Sequence, residues 1–148
     1  MNNAQSSRPA TPGLRLNNIA LAVENLDAMI DWYRTVLDLN VAERGRFDAV
    51  GADYAMLDGA GFRLELVSRT GTVKRSADRT VPPGHLDLLG WKALVLESDD
   101  LAATTAELIE HRAEIVWADV QLSPSLRSTM IRDPEGNLIN IVGQTASA

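Results

Sequence analysis

The chain predicts an α+β fold of two tandem βαβββ modules whose uncovered sheet faces cup a shared cleft, with the helices outside. Three observations lead there: an internal repeat, a switch between two hydrophobic periods inside each half, and the length. A shift of 75 residues superimposes the halves: Leu26 falls on Leu101, Ala28 on Ala103, Val41 on Val116, Asp58 on Asp133, Gly61 on Gly136 and Val67 on Val142. No gap is needed, and similar patterns recur in the same order. At 148 residues with 45% hydrophobic content, the two modules suit one shared core rather than two large independent domains.

Each half then reads element by element. "LRLNNIALAV" (14–23) alternates as a strand. "NLDAMIDWYRTVLDL" puts Leu26, Met29, Ile30, Tyr33 and Leu37 on one helical face, with Asn25 as its cap. "NVAERGRFDAV", "DYAMLD" and "FRLELV" follow as strands separated by glycine-containing turns. In the second half "WKALVLE" precedes the helix "DDLAATTAELIEHR", with Leu101, Thr105, Leu108 and Ile109 on one side. "AEIVWADVQL", "LRSTMIR" and "NLINIV" complete the set. The expected division is a tail over 1–13, module 1 over 14–67, a linker over 68–90, module 2 over 91–142 and a tail over 143–148.

Composition excludes several classes. A net charge of −6 and the lack of a basic stripe argue against nucleic acid, so the expected partner is a small molecule. No apolar run approaches the roughly 18 to 20 residues that cross a bilayer, so no membrane partner and a cytoplasmic location are expected. With no cysteine there is no disulfide, thiolate nucleophile or thiolate metal site.

A four-stranded sheet with one helix on it leaves a bare face, and two such faces can enclose a cleft. Period-two alternation assigns the lining. Leu64 and Leu66 meet the helix, so Arg63, Glu65 and Val67 face inward. Ile139 and Ile141 leave Leu138, Asn140 and Val142 inward, and on the first strand Asn18, Ala20 and Ala22. Tyr54 and Met56 are assigned inward because a helix-side tyrosine would bury its hydroxyl. The 75-residue shift then carries Ala52 to Arg127 and Tyr54 to Thr129. The lining is Asn18, Tyr54, Met56, Arg63, Glu65, Trp91, Arg127, Thr129 and Asn140.

"NNIALAVENLDAMIDWY" at the start, "DPEGNLINIV" near the end and the paired βαβββ plan between them resemble the vicinal oxygen chelate superfamily, the glyoxalase, bleomycin-resistance and extradiol-dioxygenase group. The resemblance spans about Leu14 to Val142. It implies four metal-ligand positions, on the first and last strand of each module, which fall on Asn18, Glu65, Ala93 and Asn140. Only Glu65 is a usual ligand type, so no cofactor and no divalent metal are expected. The resemblance also implies a homodimer, in which modules exchanged between chains could build the cleft.

A glutamate facing a partly apolar cleft can serve as general acid or base, or be neutralised by Arg63, Arg127 or Lys92. Glu65, Tyr54 and His85 are the catalytic candidates, His85 as a proton shuttle in the linker "PPGHLDLLG". Asn18, Met56, Arg63, Trp91, Arg127, Thr129 and Asn140 are the substrate-binding candidates, with Trp91 stacking on a planar group and an arginine gripping a carboxylate. Arg69, Lys74, Arg75 and Arg79 could steer an anion or close as a lid. The leading expectation is a metal-independent lyase or isomerase moving a proton on a small oxygenated molecule. The alternatives are a stoichiometric drug or metabolite binder and an atypical metal-dependent lyase or dioxygenase.

Overall fold

A computed structural model describes residues 13–74 and 78–145, so Arg75 and the outer parts of both tails lie outside the described residues. Module 1 comprises β1 (Ile19–Ala22), α1 (Leu26–Leu37), β2 (Asn40–Phe47), β3 (Ala52–Gly59) and β4 (Phe62–Ser68). Module 2 comprises β5 (Ala93–Glu97), α2 (Leu101–Glu110), β6 (Glu114–Ser123), β7 (Leu126–Arg132) and β8 (Leu138–Gln144). The two separate four-stranded sheets share one topology, β1-β4-β3-β2 and β5-β8-β7-β6, with the edge strand β1 or β5 parallel to its neighbour and the other pairings antiparallel.

The helices form where amphipathic stripe and cap coincide. Asn25 Oδ1 accepts from Ala28 N at 3.1 Å, and Asp100 Oδ1 from Ala103 N at 3.0 Å, each satisfying an otherwise orphaned amide. Met29, Ile30 and Tyr33 bury the α1 stripe against β3 and β4, and Leu101, Thr105 and Leu108 bury that of α2. Ile109, expected on that stripe, is 56% exposed. Gly143 on β8 lets α2 lie close, since a Cβ there would stand 2.8 Å from that of Leu101. The first strand is shorter than its alternation suggests: Leu14 and Leu16 precede it and are exposed.

The repeat is real, but the uniform shift of 75 is not. Leu39 N donates to Tyr33 O, whereas Ala113 N donates to Leu108 O, so the second module has one residue fewer after its helix (33 + 75 = 108, 39 + 74 = 113). Val41 pairs with Leu57 and Ile115 with Ile131, both offset by 74, and a β-bulge follows at the same place in each module. The residue is regained in the β7–β8 turn, because Leu57 pairs with Leu64 but Ile131 with Ile139. From β2 through β3 the repeat partner is therefore one residue earlier than expected.

That longer turn is the "DPEGN" segment, and it docks the modules. Asp133, 1% exposed, accepts from Glu135 N, Asn137 N and Asn137 Nδ2, and also from the buried Tyr33 hydroxyl on α1 at 2.8 Å. Glu135 accepts from the amides of Glu24 and Asn25 just before α1. The apolar residues beneath both helices join into a single cluster. No strand of one sheet pairs with a strand of the other among the described residues, and none of these helices is long and apolar enough to cross a membrane.

Candidate functional site on the open sheet faces

Ala55, Leu57, Leu64 and Leu66 are fully buried beneath α1, which sends Tyr54, Met56, Glu65 and Val67 to the opposite, open face. One cross-strand row there runs Ala20, Glu65, Met56, Glu43. Beside it, Tyr54 lies across Gly45, where a Cβ would come within 2.8 Å of its hydroxyl, and stacks on Phe47 with ring centroids 4.0 Å apart. The glycine leaves room for the phenol to donate to Glu43 Oε1 at 2.5 Å. This hydrogen bond, above all, raises the Tyr54 pKa from its ordinary value.

Glu65 is half-buried and makes no hydrogen bond or ion pair among the described residues. The cations expected to neutralise it are not paired with it. Arg63 holds Asp58 through Nε at 2.6 Å and a second guanidinium nitrogen at 2.8 Å, which lowers the Asp58 pKa. Arg127 holds Asp119 at 2.6 Å and also bonds the Asp119 carbonyl. Lys92 lies near Asp78 instead.

On module 2 the equivalent row is Val95, Asn140, Met130, Trp117. Trp117 Nε1 donates to Ser128 Oγ at 2.9 Å, and Ser128 in turn donates to Asn140 Oδ1. With the 74-residue offset, Trp117 stands where Glu43 does (43 + 74), Ser128 where Tyr54 does (54 + 74) and Met130 where Met56 does (56 + 74).

Two expected positions on β7 are therefore corrected. Thr129 pairs with Ile141, not Asn140, and faces α2, fully buried against Thr105 at 2.6 Å and accepting from Asp119 N at 2.9 Å. Arg127 shares that strand parity and is tied to the β6 bulge through Asp119. The carry-over by 75 displaced both by one residue. Trp91 is also corrected: it lies two residues before β5 begins, outside the alternation, and is wholly exposed. His85 sits in a 3-10 turn (Gly84–Asp87), 6% exposed, with its Nδ1 enclosed and unpartnered among the described residues; it bonds to neither Glu65 nor Tyr54. Asn18, half-buried, immediately precedes β1 on the face of Ala20. In the linker, Lys74 pairs with Glu24 and Arg79 with Glu114, while Arg69 is exposed.

The four positions the resemblance marks for metal do not make a cation site of the usual kind. Ala93 has no donor, Asn140 Oδ1 already accepts from Ser128, and Glu65 is the one charged oxygen ligand of the four. Among the described residues no cluster of three or more His, Asp or Glu converges elsewhere. Two open concavities flank module 1, one among Asp27, Asp31, Arg34 and Arg44, the other among Asp27, Arg44, Asp53, Tyr54 and Ser68. Both are rimmed by the exposed Asp27–Arg44 pair, and neither includes Glu65, so the open sheet faces are the stronger chemical candidate.

Residues 15–141 match the family model of the Glyoxalase/Bleomycin resistance protein/Dioxygenase superfamily. The chain belongs to this superfamily. Among solved structures, a glyoxalase family protein from Bacillus cereus is similar at 25% identity and a TM-score of 0.72, over 95% of this chain and 100% of that one. A glyoxalase/bleomycin resistance protein/dioxygenase domain from Frankia sp. aligns at 20% identity, TM-score 0.69, over 89% and 98% of the two chains. The trypanothione-dependent glyoxalase I of Leishmania major aligns at 18%, TM-score 0.67, over 88% and 86%. These last two show the fold alone. A comparison with curated protein sequences finds no match.

Proposed function

We propose that this glyoxalase-superfamily chain is a cytoplasmic, metal-independent lyase or isomerase acting on a small molecule that carries a carbonyl. The observation that supports this most is Glu65: a half-buried carboxylate on an open sheet face, unpaired among the described residues while Arg63 and Arg127 are held by Asp58 and Asp119. In this reading Glu65 takes a proton from the carbon beside the carbonyl. The C–H electron pair passes to the carbonyl oxygen, and the amides of Asn140 and Asn18 hold the resulting charge. Return of the proton to a neighbouring atom isomerises the substrate, and expulsion of a β-substituent makes the step a lyase reaction. Tyr54, whose hydroxyl donates to Glu43, is a second proton carrier one strand away.

Glu65 and Asn140 belong to different sheets, and in this proposal a homodimer joins them, module 1 of one copy facing module 2 of the other. The absence of any strand pairing between the two sheets among the described residues supports it. So does the exposed apolar run Leu86, Leu88, Leu89 and Trp91 beside β5. The test is Glu65→Gln on the molecule that co-purifies, identified by mass spectrometry. Turnover should fall by about 100-fold or more with circular dichroism unchanged. Unchanged turnover removes Glu65 from the mechanism, and tight binding without product in the unmutated protein replaces the enzyme reading with a binder.

A further inference from the structure

We infer that Trp117 and Ser128 form a positioning relay that fixes the Asn140 side chain as a hydrogen-bond donor, so that the module 2 face selects an oxygen acceptor, a ketone or aldehyde carbonyl, over an N–H or O–H donor. This rests on the reading of the open faces as the site and specifies the ligand atom that one of them takes.

The structure gives the relay one direction. An indole nitrogen can only donate, so Ser128 Oγ accepts from Trp117 Nε1 at 2.9 Å. The serine keeps its own proton and a second lone pair, and the structure turns the Asn140 amide oxygen toward it, so the hydroxyl donates to Asn140. With its oxygen held by that proton, the amide turns its nitrogen away, so the orientation of Asn140 follows from the Ser128 hydroxyl that the indole anchors. Asn140 Nδ2 is left without a partner among the described residues, on a half-buried face bounded by Val95 and Met130. Ser128 is fully buried and Met130 4% exposed, so the relay is set into the sheet rather than waving above it.

The equivalent positions of module 1 run differently. There the β3 residue Tyr54 donates away from β4, to Glu43 on β2, and Glu65 on β4 receives nothing from the described residues. Among the described residues, the same two cross-strand positions thus leave a free carboxylate on one module and a directed amide on the other. A carbonyl compound brings what each face lacks: an acceptor oxygen for Asn140 and an acidic C–H for Glu65.

The test uses acetophenone, an acceptor without donors, and aniline, a flat ring of similar size that donates, titrated into the full chain by NMR. In the unmutated protein, acetophenone should shift the Asn140 side-chain amide protons and the Trp117 indole proton. Ser128→Ala should weaken acetophenone by about fivefold, the worth of one neutral hydrogen bond. Ser128→Thr, which keeps the hydroxyl, should bind within about twofold of the unmutated protein. Trp117→Phe removes the donor that anchors the Ser128 hydroxyl, letting Asn140 turn, and should cut the preference for acetophenone over aniline by about fivefold. A melt on each variant separates lost folding from lost direction. If acetophenone moves resonances around Glu65 and Tyr54 but not the Asn140 amide, or Ser128→Ala binds it as the unmutated protein does, the relay is overturned and the open-face reading stands. If neither face responds to either probe, both are overturned.

Discussion

Tyr33→Phe should loosen the joint between the modules. The Tyr33 hydroxyl, on a residue 2% exposed, donates to the carboxylate of Asp133, 1% exposed, at 2.8 Å. Hydrogen bonds to a charged group are worth about 1.5 to 3 kcal/mol. Asp133 keeps three other donors, from Glu135 N, Asn137 N and Asn137 Nδ2, so the low end applies, about 1.5 to 2 kcal/mol. For a chain of this length that is a fall in Tm of roughly 3 to 8 °C. A pH signature accompanies it, because burial, then the Asp133 charge and hydrogen bond, raise the Tyr33 pKa far above its ordinary value. The stabilisation is fully present below about pH 10, where the unfolded tyrosine is also protonated. Above that the unfolded phenol ionises while the folded one does not, and stability drops by about 1.4 kcal/mol per pH unit. Urea titrations of both proteins from pH 7 to 11 measure this, the gap narrowing above pH 10. A variant within 0.5 kcal/mol of the parent at pH 7, with a parallel alkaline limb, would refute the argument.

Other expectations follow from the same contacts. Thr129→Val strands the Asp119 amide and removes one of the two partners of the Thr105 hydroxyl, so it should cost about 1 to 3 kcal/mol in urea while leaving acetophenone binding unchanged. Gly143→Ala forces a methyl against Leu101 and should lower stability by about 1 to 3 kcal/mol, read as an earlier urea midpoint. Glu43→Gln should bring the Tyr54 phenol back down toward its ordinary range, seen as an earlier step in the ultraviolet phenolate titration.

The fold was legible because its signals are local and redundant. Asn25 caps the stripe of Met29, Ile30 and Tyr33, and the alternation around Leu64 and Leu66 settles which face of β4 is buried. Glu65 and Asn140 were assigned to the open faces by that alternation alone. The β7 residues failed for a different reason. Their assignment was borrowed through a uniform shift, while the chain loses one residue after α2 and regains it in the β7–β8 turn. The sequence does hold a sign of this: a shift of 75 sets Leu57 against Arg132, whereas 74 sets it against Ile131 and Met56 against Met130. Ser128 and Trp117 were overlooked with it. Trp91 is a separate failure, an aromatic mistaken for strand where the strand had not begun. His85 could not be placed, because the linker has no periodicity to orient it.

The most direct measurement is deuterium exchange in the molecule that co-purifies with the chain, followed by mass spectrometry in D2O. Deuterium should enter at the carbon beside the carbonyl with the unmutated protein and remain at background with Glu65→Gln. Equal incorporation by both, or none by either while the molecule stays tightly bound, would contradict a proton-transfer role for that carboxylate.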